Sequence, residues 1–291
     1  MTTPPRSSPS SRNGCPELAF DIQAHRGGAA LAPENSLAAF ANALDIGVST
    51  LECDVHISAD GVAVLNHERT YAGQLIPLLT HAELTQLCPA GLEPIAALSD
   101  LLALLTARGA DEVGLNIETK FDVTRLGERA PRERFVKVVT DLLADSPFLE
   151  RTSIQSFDWT VLRMVREVDQ RLALNALTNT DYLEVDQPGA SPWLAGVDID
   201  DYAGSIAAAA SALGFDAISP SHTILTPAMV AEAHQAGLRV LPYTVNNEPM
   251  MQHLVRMGVD GLITDRPDLL REVLASMEQP LPRQYPGTRI A

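Results

Sequence analysis

FDIQAHRGGAALAPENSLAAFANALDIGVSTLECDV, residues 20–55, holds two short apolar runs, Phe20–His25 and Thr50–Val55, either side of a helix-patterned stretch, Ser36–Leu44. The runs are too short for helices and lack the polar alternation of half-exposed strands, so they read as strands buried on both faces. A strand, a helix and a second buried strand make a βαβ unit, whose two strands lie parallel across a right-handed crossover.

The unit recurs down the chain. Further strand-like runs are Val113–Glu118, Thr152–Ser156, Arg171–Leu177, Phe215–Ser219, Arg239–Thr244 and Gly261–Thr264. Clear helical stretches follow several of them, at Arg132–Leu143, Ser205–Leu213 and Pro227–Ala236. Eight βα units predict an α/β fold, a closed (β/α)8 TIM barrel, over residues 18–278. An open doubly wound sheet is the weaker alternative, because no Gly-x-Gly-x-x-Gly follows the first strand. The second strand is followed by an insertion, about 56–93, opening with a hairpin signal: Val55–Ser58, the turn Ala59-Asp60-Gly61, then Val62–Leu65. The rest of it, from Asn66, reads as irregular, and a loop of that length in a barrel is usually functional.

Composition narrows the function. Hydrophobic residues make up 46% of the 291-residue chain and charged residues 20%, enough apolar material for a large core. The formal charge of −16 argues against nucleic acid and anionic membranes as partners. Three unpatterned cysteines, Cys15, Cys53 and Cys88, fit a reducing compartment. No apolar h-region or membrane span is present, so a cytoplasmic location is expected. The Pro/Ser-rich residues 1–17 and the Pro-punctuated residues 279–291 read as flexible tails.

The ends of barrel strands carry the chemistry in this architecture. The first strand ends in His25-Arg26-Gly27-Gly28, where the glycines permit a sharp turn. Pro33-Glu34-Asn35-Ser36 precedes the first helix, with Asn35 or Ser36 suited to the N-cap and Glu34 to the first-turn dipole. In the second strand Glu52 and Asp54, two residues apart, face the same side, and Cys53 faces the helix layer. Two carboxylates directed into a barrel repel one another and lose hydration unless a cation neutralises them. Glu118 ends the third strand, with Lys120 two residues on. Glu52, Asp54 and Glu118 form an all-oxygen set suited to Mg²⁺, Mn²⁺ or Ca²⁺ rather than zinc. His67 returns from the hairpin to the barrel mouth, where a second histidine can complete an acid–base pair. Gln155-Ser156-Phe157, Tyr243-Thr244-Val245-Asn246 and Thr264-Asp265-Arg266-Pro267 add polar groups at later strand ends.

Taken in order, these motifs resemble the glycerophosphodiester phosphodiesterase family. The resemblance rests on His25-Arg26-Gly27, Pro33-Glu34-Asn35-Ser36, Glu52-x-Asp54, Asp60-Gly61 with His67, Glu118-x-Lys120, Gln155-Ser156-Phe157, Thr244-Val245-Asn246 and Thr264-Asp265-Arg266-Pro267. Glu68 stands where the family commonly has Asp, and Tyr243 where it commonly has Trp. The resemblance implies one divalent cation on Glu52, Asp54 and Glu118, with His25 and His67 as the acid–base pair. It also implies phosphate contacts from Arg26 and Lys120, with Glu34, Asn35, Gln155, Tyr243 and Asn246 in support. The implied reaction is hydrolysis of a small soluble glycerophosphodiester to sn-glycerol 3-phosphate and an alcohol, without stable membrane association. Lysophospholipase D or phospholipase C-like action on lipid diesters is the alternative. Neither the head group nor the oligomeric state is marked in the sequence.

Overall fold

The computed structural model describes residues 19–88, 93–121, 123, 129–187 and 189–287. The expected tail over residues 1–17 lies outside the described residues, as do 89–92 of the insertion. The chain runs β1 (Asp21–Ala24), α1 (Leu37–Ile46) and β2 (Thr50–Ile57), then the insertion with β3 (Ala63–Leu65), β4 (Thr70–Tyr71), β5 (Gln74–Leu75) and α2 (His81–Gln86). It continues through α3 (Leu98–Ala107), β6 (Gly114–Thr119), α4 (Arg129–Leu143), β7 (Thr152–Ser156), α5 (Trp159–Val168), β8 (Ala173–Thr178) and α6 (Thr180–Leu183). The last elements are α7 (Ile206–Ala212), β9 (Ala217–Pro220), α8 (Pro227–Gln235), β10 (Arg239–Val240), α9 (Glu248–Met257), β11 (Gly261–Thr264) and α10 (Pro267–Ser276).

Eight of these strands are parallel and ordered β10-β9-β8-β7-β6-β2-β1-β11, a (β/α)8 barrel. Its seam lies between β10 and β11. The expected strand Arg239–Thr244 is cut short there because Pro242 has no N–H to give to a ladder. Single backbone bonds close the gap instead: Asp260 N–H to Val240 O at 3.0 Å, Ile263 N–H to Pro242 O at 3.1 Å, and Val245 N–H to Ile263 O at 3.0 Å.

The strands are apolar because helices cover them outside. Ile22, Leu51, Ile117, Ile154, Leu174 and Leu262 are buried in one cluster with helix residues such as Phe40, Leu101 and Trp159. The insertion is more regular than the sequence suggests. β3 pairs antiparallel with the end of β2, and Val64, Ile76, Leu84 and Ile95 form a small separate core.

Residues 277–287, after α10, are not a free tail. Tyr285 is buried, its N–H bonds to Leu44 O at 2.9 Å, and its carbonyl accepts from Arg108 at 2.9 Å. Arg271 bonds both Gly47 O and Pro282 O, at 2.7 and 2.8 Å. The prolines keep this strap extended, and the carbonyls at the end of α1 are free to take its donors. It crosses the floor of the barrel, opposite the strand ends that carry the site.

Candidate active site

The site begins with a strained turn. Arg26, Gly27 and Gly28 have φ of 53°, 83° and 95°, all left-handed. A Cβ on Gly27 would stand 2.8 Å from Ala39 Cβ, so only glycine fits against α1. The turn directs the Arg26 backbone N–H onto Glu52 Oε2 at 2.8 Å. A non-glycine residue held left-handed costs free energy, and such strain is found where geometry serves a function.

The loop before α1 divides its work. Ser36 is the helix N-cap, accepting from Ala39 N–H at 3.1 Å. Asn35, buried and at φ 55°, faces Asp54 instead: its amide donates to Asp54 Oδ2 at 2.9 Å, and its oxygen accepts the Asp54 N–H at 3.1 Å. Glu34 accepts from Arg26 Nη1 at 2.7 Å.

β2 and β6 pair in a register that sets Glu52 opposite Asn116 and Asp54 opposite Glu118. Glu52, Asp54 and Glu118 thus converge, each buried, with one oxygen apiece lying within 4.8 Å of the others. Cys53, between them, packs in the apolar layer with the helices. Asp54 is flanked by Arg26 Nε at 3.1 Å and Lys120 Nζ at 2.9 Å, and Lys120 also pairs with Glu118.

The electrostatics follow from crowding. Burial, then repulsion from Asp54, pushes the Glu52 carboxyl up to about 8. Burial would raise Asp54 too, but Lys120 and Arg26 outweigh it and hold the group down at about 2. Three buried carboxylates therefore carry less charge than their number implies, because Glu52 keeps a proton when no cation is present. Asp54 Oδ1 is fully buried, with Lys120 Nζ 2.9 Å away. Three buried carboxylates that offer converging oxygen donors and no thiolate fit a hard divalent cation, so these residues can hold a metal ion.

His25 sits at the end of β1 and is clamped by a residue that follows the neighbouring strand, β11. Its Nδ1 lies 2.5 Å from Asp265 Oδ1, and Asp265 Oδ2 accepts from Asn246 at 2.6 Å. Burial lowers the histidine pKa, but the Asp265 hydrogen bond and the Glu52 charge more than reverse that, and the group is raised. Nε2 is left free. Asn246 thus acts on the site through Asp265, a residue whose place in Thr264-Asp265-Arg266-Pro267 carried no assigned role in the sequence. The residue after β11 stands beside the one after β1 because the two strands pair in parallel, with Ala24 opposite Thr264.

His67 faces the other side. Its Nδ1 lies 2.8 Å from Glu68 Oε1, and among the described residues its Nε2 has no hydrogen-bond partner. It lines a cavity of about 270 Å³ with Glu118, Lys120, Phe157, Tyr182 and Trp193. Tyr182 and Trp193 stack at 4.1 Å, and Phe157 meets Tyr182 and Tyr243 edge-on. Tyr243 supports this wall, its hydroxyl donating to Thr178 O at 3.0 Å. His56 is a packing residue that burial holds down at about 4, hence neutral. Gln155 donates to Glu52 at 2.9 Å from inside the barrel.

Fold and site together define a barrel enzyme with a buried, cation-ready carboxylate centre at its C-terminal rim. The chain belongs to the glycerophosphoryl diester phosphodiesterase family, whose sequence profile matches residues 25–269. A glycerophosphodiester phosphodiesterase of Caldanaerobacter subterraneus is 27% identical over 262 residues, covering 86% of this chain and 95% of its own. One from Bacillus altitudinis is 26% identical over 269 residues, covering 88% and 99%. A Silicibacter pomeroyi crystal structure of the same family name has a TM-score of 0.77 at 28% identity, covering 91% of this chain and 96% of that one. An Oleispira antarctica phosphodiesterase, solved with its product sn-glycerol-3-phosphate, has a TM-score of 0.70 at 20% identity and covers 88% and 97%. No helix among the described residues is long and apolar enough to cross a membrane.

Proposed function

We propose that this enzyme hydrolyses glycerophosphodiesters, such as glycerophosphocholine or glycerophosphoethanolamine, to sn-glycerol 3-phosphate and an alcohol. It does so with one divalent cation, Mg²⁺ or Ca²⁺, with Mn²⁺ able to substitute, and acts in the cytoplasm on small soluble diesters without stable membrane association. The observation that carries this reading is the convergence of Glu52, Asp54 and Glu118 with Arg26 and Lys120, beside a carboxylate-held His25. The product seen in the Oleispira relative has the chemistry this site would retain.

Glu34, Glu52, Asp54 and Glu118 outnumber Arg26 and Lys120 by two formal charges, which a divalent cation cancels. When bound by the three carboxylates, the cation supplies the positive charge that lets an anionic diester enter and stabilises charge growing on its non-bridging oxygens. Arg26 and Lys120, held by Asp54, Glu34 and Glu118, orient the phosphate from the two sides.

His25 and His67 then move the protons. In the first step the adjacent glycerol hydroxyl attacks phosphorus, giving its proton to one histidine Nε2. The bond to the head-group oxygen breaks, and the other histidine protonates the departing alcohol. Water opens the resulting cyclic phosphate with the two roles reversed. Direct attack by water on the diester would use the same two groups in a single step, and trapping of a cyclic glycerophosphate distinguishes the routes. The aromatic wall of Phe157, Tyr182 and Trp193 is placed to cover the diester on the His67 side.

The test is release of glycerol 3-phosphate from glycerophosphocholine by wild type and His25→Ala, with and without chelator. The expected result is turnover that chelator abolishes and His25→Ala lowers about 10²- to 10⁴-fold. Full activity in chelator refutes the metal assignment, and inactivity on every glycerophosphodiester refutes the substrate class.

A further inference from the structure

Beneath the carboxylates the barrel is filled with amides rather than hydrocarbon. Asn116, fully buried on β6, is the centre of this layer. Its Nδ2 donates to Gln23 Oε1 at 2.9 Å and to Gln155 Oε1 at 2.8 Å. Its Oδ1 accepts from Ser153 Oγ at 2.9 Å and from Asn175 Nδ2 at 3.2 Å. Both hydrogens and both lone pairs are used, the full capacity of a carboxamide.

The two glutamines are oriented by carboxyl groups at their far ends. Gln23 gives its amide to Asp21 Oδ2 at 3.0 Å, on the barrel floor. Gln155 gives its amide to Glu52 Oε1 at 2.9 Å and reaches Glu118 Oε2 at 3.4 Å. With Glu52 ionised, as cation binding requires, both carboxylates accept only, so each glutamine must turn its oxygen inward, and only a central group with two donors can meet both oxygens. Were Gln155 to flip, its oxygen would face Glu52 and the Asn116 amide would face another amide.

We infer that Asn116 is a positioning residue for the carboxylate centre: it holds Gln155 with its N–H groups toward Glu52 and Glu118, so that two of the three cation-binding carboxylates keep their separation and direction. The inference rests on the proposed metal reading and deepens it. Partners that orient ligating carboxylates typically contribute 10- to 100-fold in metal affinity.

The experiment is calorimetric titration of the cation-free, full-length protein with Mn²⁺ and Mg²⁺, for wild type, Asn116→Ser, Gln155→Met and the double variant, with Tm measured for each. The expected result is a loss of about tenfold or more in affinity for Asn116→Ser, a similar loss for Gln155→Met, and no further loss when the two are combined. A residue that only supports the fold would lower Tm and leave the affinity of the folded protein unchanged, and that outcome overturns the inference. So does an additive loss in the double variant. If Asn116→Ser does not accumulate as folded protein, Ser153→Ala carries the same comparison, with a loss of about threefold expected and an unchanged affinity counting against it. A wild type that binds no cation overturns the metal reading along with this one, whereas normal wild-type binding left unaltered by Asn116→Ser overturns this one alone.

Discussion

His25 Nδ1 and Asp265 Oδ1 stand 2.5 Å apart, although 240 residues separate them in the chain. The parallel register of β1 on β11, Ala24 opposite Thr264, brings them together. Asp265 fixes the imidazole tautomer and favours its charged form. Asp265→Asn should therefore lower kcat about 10²-fold with a smaller change in KM. It should also lower the His25 titration midpoint, followed by NMR in the cation-free protein. A midpoint that does not move removes the positioning role. The raised pKa contributes stability that is complete below the unfolded value of about 6.5 and is lost as pH rises through the folded midpoint. Asp265→Asn should accordingly destabilise the protein more at pH 5.5 than at pH 9.

The carboxylate centre predicts a proton count. Glu52 holds its proton up to about 8 in the absence of a cation, and a cation must displace it. Titration with Mg²⁺ at pH 7 in two buffers of different ionisation enthalpy should show close to one proton released per site. Saturation at 100 times Kd should add about 2.7 kcal/mol of stability, a Tm rise of several degrees in a scan. No buffer dependence at pH 7 would mean that Glu52 is already ionised.

Gly27 tests the strained turn. Gly27→Ala combines φ of 83° with a Cβ 2.8 Å from Ala39, so it should cost about 2 kcal/mol or more. The displaced turn also carries Arg26 N–H away from Glu52. A urea titration should show the lost stability, and kcat should fall with it. An Ala variant of wild-type stability would show that the turn relaxes freely.

The strap under the barrel separates stability from activity. Truncation after Glu278 removes the buried Tyr285 and the carbonyls bonded by Arg108 and Arg271. The expected cost is about 2–4 kcal/mol, seen as a Tm lower by roughly 5–10 °C, with kcat and KM unchanged at 25 °C. A change in kcat would show that the floor of the barrel is coupled to its rim.

The parallel strands and the carboxylate motifs are local patterns, and local patterns survive in a sequence read alone. Short apolar runs of four to seven residues mark strands covered on both faces, and all eight barrel strands overlap the runs that rule picked out, with Arg239–Val240 the one cut short. Period two along β2 separates Glu52 and Asp54 from Cys53 without reference to any other strand. Where a local rule had two answers, packing chose. Asn35 and Ser36 are both good N-caps, and Ser36 takes the cap because Asn35 is drawn to the buried Asp54.

What only the tertiary structure decided is pairing across long stretches of chain. Asp265 beside His25, Asn116 beneath Gln155, and Tyr285 against α1 are set by strand register and by the closure of the barrel, and no spacing in the sequence encodes them. The amino-acid sequence by itself determined which residue types reach the rim and that three of them could share a cation. The folded barrel determined the pairing that holds each of them at its angle and charge. Side-chain direction depends on the nearest few residues, whereas partner choice depends on which strands the closed sheet makes neighbours.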